Sequence, residues 1–174
     1  MNPPGRNVAA DPTWTGLRAP WLGTKNIWKL FYQIGVLPKH IFERTQRLHS
    51  SEWTLDFAHE IYQSLADQDL YITNLAKCTQ QDARPLPNSV FRAYLPSFHK
   101  EMTVIAPQRI ITFGNQVSSI LLDAPIKVSA VRKSAMPLRI KSQSYPVYPT
   151  FYPVGQGMRN IDHAIEDIRW VLQR

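Results

Sequence analysis

A chain of 174 residues, 44% hydrophobic and 11% aromatic, has enough apolar content for one real core. No apolar run approaches the roughly 18 residues of a membrane span, no charged-then-apolar leader opens the chain, and the single Cys78 excludes an internal disulfide and an all-cysteine metal site. Net charge is +7 with a pI near 9.7, and residues 1–50 and 101–150 hold seven and six Lys/Arg against two Asp/Glu each, a pattern that points to a polyanionic partner, nucleic acid first.

Along the chain, "MNPPGRN" predicts a rigid turn of the kind that follows a strand. A polar, Pro-rich stretch with Trp14 and Trp21 comes next. "KNIWKLFYQIG" predicts a helix with Ile27, Trp28, Leu30, Phe31 and Ile34 on one face and Gly35 as its stop. "TLDFAHEIYQSLA" repeats the pattern with Leu55, Ala58, Ile61, Tyr62 and Leu65. "LYITNLA" is short, apolar and β-rich and predicts a buried strand. "NSVFRAYLPSFHKEMTVIA" predicts a helix kinked at Pro96, "RIITFG" a strand, and Asn115 the opening of the helix "QVSSILL". "IKVSAV" and "YPVYPTF" predict strands, and "IDHAIEDIRWVLQ" a closing amphipathic helix. This alternation implies an α/β sandwich, parallel in its middle, with its site at the carboxyl ends of the strands.

At three of those ends the sequence resembles the uracil-DNA glycosylase superfamily. "MNPPG" is similar to that family's first motif without its leading glycine. "LYITNLAKC" and "ARPLPNSVFRAYLPSFHKEMTVIAPQRIITFGNQVSSILL" resemble its thermophile-type branch, "KNIWKLFYQIG" the first helix of its mismatch-specific branch, and "VYPTFYPVGQGMRN" its last motif. The expected architecture is a single domain over residues 1–174, a three-layer α/β/α sandwich with a mainly parallel four-stranded sheet. Its first strand is expected upstream of Met1, or replaced by another segment.

The resemblance implies excision of uracil or a related deaminated base flipped out of DNA. Asn74 falls on the family's base-reading asparagine, whose oriented amide matches one pyrimidine edge and mispairs with another; as a plain residue it would end a strand. Asn2 falls on the water-positioning group, beside Pro3 and Gly5 of the same turn. "APWLG" makes Trp21 the expected stacking face for the base, with Trp14 the second candidate; either is equally a core anchor. Tyr152 stands where relatives carry His or Asn before the proline, and its one O–H suits donation to the departing base. Gly155, Gly157, Met158 and Arg159 suit a loop that fills the vacated hole and meets phosphate, or a plain turn into the last helix. His163 is expected on that helix's surface. Cys78 sits at a cluster-cysteine position of the thermophile-type branch, but Tyr94 takes the place of the next and the upstream pair is missing, so no cluster, metal or other cofactor is expected.

The expected partner is DNA carrying a damaged base, bound by a monomeric, cytoplasmic, nucleoid-associated protein with no membrane contact. Two rivals stay open. One is a non-catalytic nucleic-acid-binding member of the superfamily, and the other an unrelated α/β enzyme acting on free nucleotides or bases.

Overall fold

A computed structural model describes residues 19–77 and 86–174, the side chain of Gln156 excepted. The chain divides into two compact units, Met1–Pro85 and Leu86–Arg174.

The described part of the first unit is helical: α1 (Asn26–Gln33), α2 (Lys39–Arg47), a 3₁₀ turn (Ser50–Glu52) and α3 (Leu55–Ala66). α1 buries Ile27, Trp28, Leu30 and Phe31, as its spacing predicts, and Gly35 follows it with a φ of +84°. α3 starts on Thr54, whose hydroxyl accepts the Phe57 N–H at 3.2 Å. It buries Phe57, Ala58, Ile61 and Leu65, whereas Leu55, expected on that face, is 41% exposed.

Rings hold these helices together. Trp28, fully buried, lies 5.8 Å from Phe31, 6.2 Å from Trp53 and edge-on to Tyr62 at 6.0 Å. Each such buried side chain stabilises the unit by about 1.5–3 kcal/mol. Arg44 crosses the Phe57 ring at 4.1 Å while pairing with Glu60.

"LYITNLA" is not a strand. Leu75 and Ala76 are buried, but the described residues of this unit contain no strand, so a β-rich run there has no ladder to join.

In the second unit, α4 (Asn88–Ala93) and α5 (Leu95–Ile105) are the two halves of the expected kinked helix. The break falls at Tyr94 and leaves Pro96 in the first turn of α5, where a missing N–H costs nothing. Then come β1 (Ile110–Phe113), α6 (Asn115–Leu121), α7 (Val128–Val131), β2 (Met136–Ile140), β3 (Gln143–Thr150), a 3₁₀ turn (Gly155–Asn160) and α8 (Ile161–Leu172).

The sheet order is β1-β3-β2. β1 runs parallel to β3 from Ile110↔Val147 to Phe113↔Thr150, and β2 pairs antiparallel with β3 from Met136↔Val147 to Ile140↔Gln143. β1 therefore meets β3 only from Val147 onward, and β2 only up to it. Pro146 and Pro149 of the central strand each fall where one flank is open.

The expected α/β class stands. Among the described residues, however, the sheet has three strands and is mixed, not four-stranded and mainly parallel. "IKVSAV" forms only the single helical turn α7, because its backbone donors are taken by α6: Ile126 N–H by Ser119 Oγ at 2.8 Å and Val128 N–H by Asn115 Oδ1 at 2.9 Å. β2 was not predicted, since Pro137 masks it; the proline is tolerated because β2 is an edge.

Candidate active site

Parallel pairing brings the carboxyl ends of β1 and β3 to the same end of the sheet. β1 runs into Gly114 and β3 into Phe151 and Tyr152, and the Gly114 N–H donates to the Thr150 carbonyl at 2.7 Å. Tyr152, just past that end, is 40% exposed. Two glycines bracket it. A Cβ at Gly114, whose φ is +87°, would touch the Tyr152 Cβ at 3.4 Å; one at Gly157 would collide with the Tyr152 carbonyl oxygen and lie 2.8 Å from its carbon.

The segment beyond is wound into the 3₁₀ turn, with the Gly157 N–H on the Val154 carbonyl at 3.1 Å. Gly155 turns with a φ of +61° and open space around it. Within this turn Met158 is half-buried and Arg159 is exposed.

Behind the end of β3 lies a buried polar cluster. Asp167 on α8 is 2% exposed and Thr150 is 1% exposed. Asp167 accepts from the Thr150 hydroxyl at 2.8 Å and from Arg132 Nε at 2.9 and 3.1 Å. Arg132 Nη2 reaches Glu166 at 2.9 Å, and Lys133 pairs with the same carboxylate. Burial opposes the Arg132 charge, but hydrogen bonds and attraction to Asp167 and Glu166 outweigh it and hold the guanidinium above its ordinary range. Glu166 is held below the usual carboxylate range, first by the hydrogen bond from Lys133 and then by that from Arg132. His163 is exposed on α8, as expected, with its ring 5.8 Å from Phe151.

Spacing along α8 contains a signal for this cluster. Asp167 falls among Ile161, Ala164, Ile165, Ile168 and Val171 on the buried face, and an acid there must find a partner.

The candidates of the first unit are Trp21 and Asn74. Trp21 has a φ of +63°, a costly conformation for a bulky residue. Its carbonyl accepts the Thr24 N–H at 3.0 Å and the Thr24 hydroxyl at 2.6 Å, and the preceding Pro20 carbonyl accepts from Tyr62. Burial raises the Tyr62 phenol well above its ordinary pKa. The Trp21 indole is 6% exposed and lies 6.2 Å from Phe31 at 48°. Asn74 is half-buried, just before the buried Leu75. Asn2, Pro3, Gly5, Trp14 and Cys78 lie outside the described residues.

Among the described residues no three His, Cys, Asp or Glu side chains gather as a metal site, and no helix is long and apolar enough to cross a membrane.

The family model of the uracil DNA glycosylase superfamily matches residues 4–169. The chain belongs to that superfamily. Comparison with curated proteins gives no match. As a uracil DNA glycosylase superfamily member, the protein carries a glycosylase-like function in general, with DNA as the substrate. The superfamily's model spans both compact units, ending at residue 169 within the last third of α8.

Proposed function

We propose that the protein is a DNA glycosylase that hydrolyses the N-glycosidic bond of uracil, or of a related deaminated base, flipped out of DNA. Asn74 reads the base edge, Trp21 or Trp14 stacks on its face, and Asn2 orients water beside Pro3 and Gly5. Asn2 cannot remove a proton from that water, but an oxocarbenium ion formed after the base departs needs little nucleophilic help. Tyr152 donates its phenolic proton in a hydrogen bond to the base as negative charge builds on the leaving group. Gly155, Gly157, Met158 and Arg159 meet the duplex, Arg159 on phosphate. The protein acts as a monomer and a single domain.

The observation that carries this reading is the exposed phenol of Tyr152 at the carboxyl end of β3 in a chain of this superfamily. Purified protein is incubated with uracil-containing single- and double-stranded oligonucleotides and then treated with alkali. Strand scission is expected from wild type, with a loss of at least tenfold in Tyr152→Phe. Scission no greater than that of Asn74→Ala would defeat the enzymatic claim.

Burial of the Trp21 indole favours a second reading, a superfamily member that binds nucleic acid without releasing a base. It predicts salt-sensitive DNA binding, no scission, and equal behaviour of Tyr152→Phe and wild type.

A further inference from the structure

We propose that Thr150, Asp167 and Arg132 are positioning residues for Tyr152, a polar clamp that sets where β3 releases its phenol-bearing turn; the catalytic part of this rests on the function proposed above. The clamp joins three elements. Thr150 is the last residue of β3, Arg132 follows α7, and Asp167 sits in the middle of α8. Both ends of Thr150 are held, its carbonyl by the Gly114 N–H at 2.7 Å and its hydroxyl by Asp167 at 2.8 Å. Arg132, bound to the same carboxylate, also lies 5.7 Å over the ring of Phe151. Held on either side, the chain then enters Tyr152, whose peptide is packed against Gly157. The backbone is thus held two residues before Tyr152 and again at the Tyr152 peptide itself.

A buried carboxylate is an expensive way to hold a core together. Desolvating an ion costs several kcal/mol, and well-packed apolar side chains in its place are often as stabilising or more so. What a charged cluster supplies instead is direction, because its hydrogen bonds accept only one geometry. Here that geometry is spent two residues before Tyr152, and a catalytic donor misplaced by an ångström loses much of its effect.

The test uses Thr150→Val, which removes the hydroxyl but leaves Asp167 bound to Arg132, and Thr150→Ser, which restores it. Thr150→Val is expected to lower kcat for uracil release about tenfold with KM within about twofold, and Thr150→Ser to recover it. In a Tyr152→Phe background, Thr150→Val should cost less than about twofold more, because the two act through one group. Independently of catalysis, amide hydrogen exchange over residues 151–157 should rise several-fold in Thr150→Val, stay at the wild-type level in Thr150→Ser, and leave α1 unchanged.

The clamp is overturned by unchanged exchange in Thr150→Val, by failure of Thr150→Ser to rescue, or by a full additional loss in the Tyr152→Phe background. If wild type releases no base, or Tyr152→Phe is fully active, the proposed function fails instead, and exchange alone then judges the clamp.

Discussion

In the first unit, Trp21 is held in a left-handed turn by two bonds from Thr24 to its own carbonyl and by Tyr62 on the carbonyl before it, beside a core of rings. In the second, the strand that delivers Tyr152 is held by a hydroxyl, a carboxylate and a guanidinium with almost no exposed carboxylate surface. The first arrangement stores backbone strain and offsets it with local hydrogen bonds and aromatic packing. The second stores desolvation and offsets it with directed polar contacts. Emptying the ring cluster should therefore disturb the first most, and loss of the buried Thr150 hydroxyl the second.

The largest expected effect is Trp28→Ala, which empties the centre of the ring cluster and should cost about 3–5 kcal/mol in denaturant unfolding. A cost below about 1 kcal/mol would mean that the rings do not carry the first unit. Gly157→Ala comes next. Its new Cβ must push the Tyr152 peptide aside, costing about 1–3 kcal/mol and most of the base release, whereas Gly155→Asn, in open space, should be mild.

Tyr62→Phe loses one hydrogen bond, about 1 kcal/mol, and carries a pH signature. The folded pKa of Tyr62 is raised, so its contribution is full below the unfolded value near about 10 and is lost as pH rises towards the folded one. Unfolding curves from pH 8 to 11 should show an alkaline decline in wild type that is shallower in Tyr62→Phe.

Glu166→Gln is the smallest effect and falls on the opposite limb. Glu166 is depressed in the folded state, so its contribution is present above the unfolded value, about 4.3, and is lost as pH falls through the folded one. The substitution should flatten the acid side of the stability profile and leave the alkaline side alone. If both variants changed the same limb, the contrast between the units would be wrong.

What could be read from the sequence follows from how each signal arises. α1, α3 and α8 were legible because a buried stripe recurs at helical spacing, and β1 and β3 because they are short apolar runs ended by a turn. α2 was missed because it buries only Ile41 and Thr45, too few to set a period. "LYITNLA" differs because composition reports that a segment suits a ladder, not that a neighbouring strand is there to form one, and its unit has none among the described residues. "IKVSAV" differs because Ser119 and Asn115 of α6 take its backbone donors.

At the candidate site, the place of Tyr152 just past the end of β3 was legible from the strand pattern before it. The cluster behind it was not, because Thr150 lies 17 residues from Asp167 and Arg132 lies 35 residues from it. Only the folded chain makes them neighbours.

The outer flank of β2 has a consequence for behaviour at high concentration. Its backbone faces no strand partner among the described residues, yet Pro137 offers no N–H there and Arg139 stands exposed beside it. An incoming strand would meet a missing donor and a charge that must be stripped of water, so this border is a poor template for edge-to-edge aggregation.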